Sequence, residues 1–88
     1  MEFADLEALI AVSEAGSVAG AADRAGLARS GLVRAIERLE AEVGGPLVVT
    51  EPAGTRMTRI GQGLVADARP LLRARDRWRG RLSESSEA

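Results

Sequence analysis

Two helices and the tight corner between them are encoded in Ser17–Gly44, SVAGAADRAGLARSGLVRAIERLEAEVG. Ser17 is a good N-cap for a short first helix, and Gly26 suits the positive-φ position that a tight interhelical turn requires. A second helix is expected from about Arg29 to Val43, because apolar residues recur there at helical spacing. They share one face of that helix: Leu32, Ile36, Leu39 and Val43.

The second helix also has an outward face of different chemistry. Well away from the apolar arc, it collects two arginines, a hydroxyl, a small apolar residue and an acid: Arg29, Ser30, Val33, Arg34 and Glu37. Arginine, hydroxyl and small apolar side chains are the types that contact base edges and phosphates in a DNA major groove. The sequence therefore predicts a helix-turn-helix.

A series of spaced positions along most of the chain carries a family resemblance. They are Leu6-x-x-Leu9, Gly16-Ser17, Ala21-Ala22, Leu32, Arg34, Ile36-Glu37-Arg38-Leu39-Glu40, Gly44, Pro46-Leu47 and Met57-Thr58-x-x-Gly61. The series resembles the N-terminal DNA-binding domain of LysR-type transcriptional regulators, in register from Leu6 to about Leu72. A gapless series of this length is more specific than any single short motif.

The resemblance implies a mainly α fold, a winged helix-turn-helix with a three-helix core and a short β-hairpin wing, followed by a long C-terminal dimerisation helix. It also implies a bacterial homodimer that binds an interrupted inverted repeat in double-stranded DNA and regulates transcription. LysR-type regulators carry a larger effector-binding domain after the last helix, which these 88 residues do not include. We therefore expect no small-molecule site in this chain.

The composition excludes several kinds of chemistry. The chain has no cysteine and no histidine, so disulfides, thiolate chemistry, the usual zinc sites and the usual general base are missing. We expect no enzymatic activity, no cofactor and no metal site. No apolar run approaches the roughly 20 residues of a membrane span, and the N-terminus lacks signal-peptide character. A cytoplasmic location without membrane contact is expected.

Charge is polarised along the chain. The net charge is -1. A basic domain would be expected for DNA binding, because DNA affinity draws on phosphate neutralisation. Residues 1–28 carry one arginine against five acids (-4), residues 29–60 five against four (+1), and residues 61–88 six against four (+2). The acidic portion is the part that a helix-turn-helix keeps away from DNA.

Local signals on both sides of the helix pair complete the core and the wing. Residues 2–15 form a predicted amphipathic helix that Gly16 ends. Strand character in Leu47–Val49 and Arg56–Met57, around a turn at Glu51–Gly54, predicts the hairpin of the wing.

The C-terminal third is expected to form one long helix. Thr58 is its predicted N-cap, the helix runs to about Leu82, and Pro70 is expected to kink or divide it. We divide the chain into a winged helix-turn-helix domain at 1–57, a linker and dimerisation helix at 58–82, and a disordered polar tail at 83–88.

Six residues are candidates for DNA contact: Arg29, Ser30, Val33, Arg34, Arg38 and Arg56. Arg34 matches a basic position of the family motif, whereas Arg29 and Val33 stand where the family often has glutamine and serine. The alternative for the arginines is a solvated helix face. At the wing, Thr50, Pro52 and Ala53 replace residues that are commonly basic in the family, so weaker backbone anchoring is expected.

The last helix supplies the predicted dimer interface, because a helix that extends past a three-helix core has little to bury against. The candidates include leucines and a tryptophan spaced by sevens: Leu64, Ala68, Leu71, Leu72, Trp78 and Leu82.

Two other functions fit the same pattern. A protein-interaction module could keep the fold and the dimer helix and sequester a related regulator or another partner in mixed dimers. It would need the dimer residues but not Arg29 or Arg34. A sequence-independent nucleoid binder is disfavoured by the modest basic charge.

Overall fold

The computed structural model describes residues 1–87 as four helices and one two-stranded hairpin. In chain order the elements are α1 Phe3–Ala15, α2 Val18–Ala25, α3 Arg29–Val43, β1 Val48–Glu51, β2 Gly54–Met57 and α4 Arg59–Glu87. The strands are antiparallel, with Val48 opposite Met57 and Glu51 opposite Gly54. The mainly helical, winged helix-turn-helix fold predicted from the sequence is confirmed.

Capping chemistry sets the ends of the first two helices. Gly16 ends α1 and Gly26 ends α2, both in the left-handed region at φ 72° and 68°. Ser17 Oγ accepts a hydrogen bond from the Gly20 N–H at 3.1 Å and so caps α2 as predicted. Leu27, directly after the corner, has 44% of its surface exposed.

A single core joins the helices and the base of the wing. Its largest fully buried side chains are apolar residues of α1, α3 and the approach to β1: Leu9, Val12, Leu32, Leu39 and Leu47. Val65 and Ala68 of α4 belong to the same cluster. The first half of α4 is therefore built into the core, because its apolar side packs there and not on a separate unit.

The wing is tied to the body at both ends. Thr58 Oγ1 accepts a hydrogen bond from the Gly61 N–H at 3.0 Å, which confirms it as the cap of α4. A Cβ on Gly61 would lie 2.1 Å from the Leu47 carbonyl oxygen, so only glycine fits there. In β2, the Thr55 N–H donates to the Gly16 carbonyl at 3.0 Å. The hairpin is thus fixed to the start of α4 and to the α1–α2 turn.

The last helix is longer than predicted. It continues to Glu87 instead of ending near Leu82, which corrects the predicted disordered tail over residues 83–87; Ala88 lies outside the described residues. Residues 83–87 contain neither glycine nor proline, and extending a formed helix needs no new nucleation. Pro70 lies inside the helix without dividing it, although its missing N–H removes the bond that would reach the Ala66 carbonyl.

Candidate nucleic-acid interface

The two sides of α3 have opposite environments. Leu32 and Leu39 are 0% exposed, and Ala35 and Ile36 are at most 5% exposed. The predicted contact residues of the outward face are all exposed: Arg29, Ser30, Val33 and Arg34. The structure therefore brings these four candidates together on one open surface.

The two arginines on this surface are free to meet a ligand. Among residues 1–84, whose side chains the structure describes, neither Arg29 nor Arg34 forms an ion pair. Val33, 39% exposed, adds an apolar contact of the kind that suits a thymine methyl. Ala28 provides no side-chain cap, so the positive end of α3 stays open beside the arginines.

Arg38, also predicted to contact DNA, has a different environment. Its Nε and Nη2 donate to Oδ2 and Oδ1 of Asp5, at 3.2 and 2.8 Å. Asp5 is a residue of α1 and is only 3% exposed. Hydrogen bonding to Asp5 raises the pKa of the Arg38 guanidinium above its ordinary value. The structure places this arginine against α1, apart from the free arginines of the surface.

The wing presents little free positive charge. The remaining candidate, Arg56, donates from Nε to Glu51 Oε1 at 3.0 Å across the hairpin. Both side chains are exposed, so their ion pair adds little stability and can open at low cost. Pro52 and Ala53 at the tip are exposed and uncharged, while Arg59 at the start of α4 has no ion pair within the described chain.

The six predicted dimer residues of α4 fall into two groups that differ in burial. Ala68 and Leu72 are 1% and 9% exposed, and Leu64 packs against the core of its own chain. Leu71, Trp78 and Leu82 remain 55%, 56% and 49% exposed. The surface available to a second chain is therefore narrower than predicted and consists of this second group.

Phe3 of α1 extends that apolar surface beside Leu71 and Trp78, and it was not singled out from the sequence. It is 46% exposed, and the Arg75 guanidinium lies 5.4 Å from its ring centroid. Hydrogen bonds from Arg75 to Glu7 and Asp76 hold the guanidinium there and raise its pKa. A signal was present in the sequence, because Phe3 shares a helical stripe with the charged Glu7.

The described residues contain neither a membrane-spanning helix nor a metal-binding cluster of side chains. No helix in that part of the chain combines the length and apolarity that crossing a membrane requires. The same residues contain no group of three or more side chains placed to hold a metal ion.

The fold and the exposed face of α3 define the class of this molecule, a winged helix-turn-helix protein with a long C-terminal helix. Residues 3–62 match the family model of bacterial regulatory helix-turn-helix proteins of the lysR family. The chain belongs to this family, as the spaced positions implied.

Known proteins similar to this chain are regulators. The small neutral protease regulatory protein of Streptomyces coelicolor is 42% identical over 72 residues, which cover 82% of this chain and 22% of that protein. This chain thus spans about a fifth of the length of that curated relative.

Solved structures of similar domains include two DNA complexes. The CbnR DNA-binding domain in complex with DNA is 34% identical, with a TM-score of 0.87 over 98% of this chain and 99% of that one. The BenM DNA-binding domain with the catB site 1 DNA is 28% identical, with a TM-score of 0.91 over 100% of this chain and 99% of that one.

Proposed function

We propose that this chain is a sequence-specific DNA-binding module that acts as a homodimer on an interrupted inverted repeat and regulates transcription. The observation that carries the proposal is the outward face of α3, where Arg29 and Arg34 are exposed and without ion pairs in the described chain. The DNA complexes of the similar CbnR and BenM domains support it. The module is non-enzymatic and works in the bacterial cytoplasm.

In this proposal α3 enters the major groove with its N-terminal half leading. Arg34 offers a planar fork that can donate two hydrogen bonds to a guanine edge, and Val33 packs against a thymine methyl. Arg29 and Ser30 lie in the first turn, where the open N–H groups of α3 also favour a phosphate. Base preference therefore resides in Arg34 and Val33, and anchoring in the first turn.

The wing has a smaller role in the proposed complex. Arg56 must leave Glu51 to reach a phosphate, which costs little because the pair is exposed. Arg59 adds a second cation at the base of the hairpin. With an uncharged tip, the wing contributes fewer phosphate contacts than α3.

The homodimer follows from the exposed apolar side of α4. A single domain contacts one half-site, and two free arginines give only weak binding. Pairing two chains through Leu71, Trp78 and Leu82 presents two recognition helices at fixed spacing, and the second half-site then binds at high effective concentration. The dimer surface is therefore as necessary to the function as α3 itself.

The alternative is a non-enzymatic interaction module that sequesters a related regulator or another partner through α4. Two observations favour keeping it: Arg38 and Arg56 are in ion pairs within the chain, and the wing tip is uncharged. Such a module would bind no DNA, and it would still dimerise after Arg29 and Arg34 are both replaced by alanine.

The test begins with selection of bound duplexes from a random library, followed by titration of the selected and random duplexes at several salt concentrations. A specific regulator binds the selected duplex at least about 1,000-fold more tightly than random DNA. Equal affinities with a steep salt dependence would identify a sequence-independent binder. Absence of measurable binding by a folded dimer would overturn the proposal in favour of the interaction module.

A further inference from the structure

The ion pair between Asp5 and Arg38 joins two elements that are distant in the sequence. The residues are 33 positions apart, and both guanidinium bonds converge on one carboxylate, at 2.8 and 3.2 Å. This two-point geometry fixes the direction of the guanidinium as well as its position. The pair therefore links α3 directly to α1.

The two partners differ in their access to solvent. The Asp5 side chain is 4% exposed, whereas that of Arg38 is 57% exposed. A carboxylate at that depth needs a cation or hydrogen-bond donors to remain charged, and Arg38 is its ion-pair partner within the described residues. Asp5 is fixed by its burial, whereas the exposed side chain of Arg38 would be mobile without a partner. The ion pair therefore restricts Arg38 more than it restricts Asp5.

Without that hold, Arg38 would lie close to the DNA-facing surface. It follows Arg34 by four residues, which places the two side chains one turn apart and about 40° from each other around α3. An arginine in this position can reach the phosphates that flank the groove. Its attachment to Asp5 turns the guanidinium toward α1 instead.

We propose that Asp5 is a positioning residue for DNA recognition: it fixes α3 on α1 and withholds the Arg38 cation from the phosphates. Withholding one cation per protomer lowers sequence-independent affinity, so a larger share of the binding free energy comes from base contacts. The inference rests on the proposed DNA-binding function, and it gives Arg38 a different role from Arg34.

The structural half is tested without DNA, by a double-mutant cycle of urea unfolding on Asp5→Asn, Arg38→Met and the double variant. Each single variant is expected to lower the unfolding midpoint, and the double variant to lose less than the sum of the two. Asparagine keeps the shape of the acid, and methionine keeps the aliphatic stem of the arginine. Additive losses would overturn the claim that the pair fixes α3.

The functional half is tested by the salt dependence of binding to selected and random duplexes. Asp5→Asn is expected to steepen the slope by about 0.9 per protomer and to narrow the ratio of specific to random affinity. Arg38→Met should leave the slope unchanged. Asp23→Asn is the control: it removes the same charge from an exposed position of α2 that has no ion pair in the described chain. It should change neither the salt slope nor the ratio of specific to random affinity.

Two results would overturn this half of the proposal. A shallower slope in Arg38→Met would make Arg38 a phosphate contact, and an unchanged slope in Asp5→Asn would mean that nothing was withheld. If asparagine unfolds the chain, Asp5→Ala at low temperature gives the same comparison. If the wild-type chain binds no DNA but the double-mutant cycle still shows coupling between Asp5 and Arg38, the proposed DNA-binding function is refuted. The claim that the pair fixes α3 on α1 is then still supported.

Discussion

Replacing Arg34 with alanine separates the role of its guanidinium in DNA binding from any role in folding. The side chain is exposed and forms no ion pair with the described side chains of residues 1–84, so its removal deletes no such contact there. The free energy of unfolding should therefore change by less than about 0.5 kcal/mol. Any loss of DNA affinity then reports the interface itself.

The expected size of that loss follows from the number of free cations on α3. Arg29 and Arg34 give a dimer four unpaired guanidiniums, which correspond to a salt slope of about -3.6 if all reach phosphates. Arg34→Ala removes half of these, so the slope magnitude falls by up to about 1.8. If Arg34 instead reads a guanine edge, the change costs about 1 to 3 kcal/mol per half-site and relaxes the preference at that base.

The assay is fluorescence anisotropy with a labelled selected duplex, between about 50 and 200 mM salt. Arg73→Ala is the matched control, because Arg73 is an exposed arginine of α4 without an ion pair in the described residues. It should shift neither affinity nor slope appreciably. Unchanged affinity in Arg34→Ala with unchanged melting, or an equal loss in Arg73→Ala, would refute the placement of α3 in the groove.

Three further changes probe the rest of the molecule. Trp78→Ala should weaken self-association by about 3 kcal/mol or more, because it removes a large apolar contact from the proposed dimer interface. If sedimentation still shows the dimer at the same concentration, Trp78 does not belong to that interface. Thr50→Arg with Ala53→Arg should raise affinity and steepen the salt slope by about 0.9 for each new phosphate contact, and an unchanged slope would mean that the wing does not approach DNA. Gly61→Ala should lower the melting temperature, because its Cβ would lie 2.1 Å from the Leu47 carbonyl oxygen. Gly63→Ala is the control, because no neighbour lies within 4 Å of its Cβ, and it should leave stability unchanged or raise it by up to about 1 kcal/mol. Equal effects at both glycines would contradict the close approach of Gly61 to the Leu47 carbonyl oxygen.

The sequence predicted the elements well where a single residue sets a boundary. Gly16, Ser17 and Gly26 mark the α1–α2–α3 connections by local chemistry, and Thr58 marks the start of α4, so no tertiary information was needed. The end of α4 was mispredicted because the polar stretch after Leu82 has no stop signal, and polarity alone does not end a helix. Local rules therefore placed the starts of helices more reliably than the end of the last one.

The side of α4 that faces the core was harder to predict. Apolar residues recur both at Leu64, Leu71 and Trp78 and at Ala68 and Leu72, and these series lie close together around the helix. Periodicity shows that the helix has an apolar face, but tertiary packing decides which residues are buried: Ala68 lies in the core, Leu64 packs against it and Leu72 is 9% exposed. The dimer candidates consequently included residues that the chain buries within itself.

The net charge of -1 is compatible with DNA binding because the acidic side chains of α1 are paired with arginines inside the chain. Three acids of α1 form ion pairs with arginines from α3 and α4: Asp5 with Arg38 at 2.8 Å, Glu14 with Arg69 at 3.6 Å, and Glu7 with Arg75. Those pairs join α1 to the two helices that pack on it, whereas Arg29 and Arg34 have no ion pair in the described chain. Screening limits charges beyond roughly 8 to 10 Å at physiological salt, so a phosphate at α3 responds to these nearby arginines more than to the net charge. Total charge is therefore a poor guide to this interface. The position of each arginine in the fold is a better one, because Arg29 and Arg34 lie unpaired in the described chain on the outward face of α3.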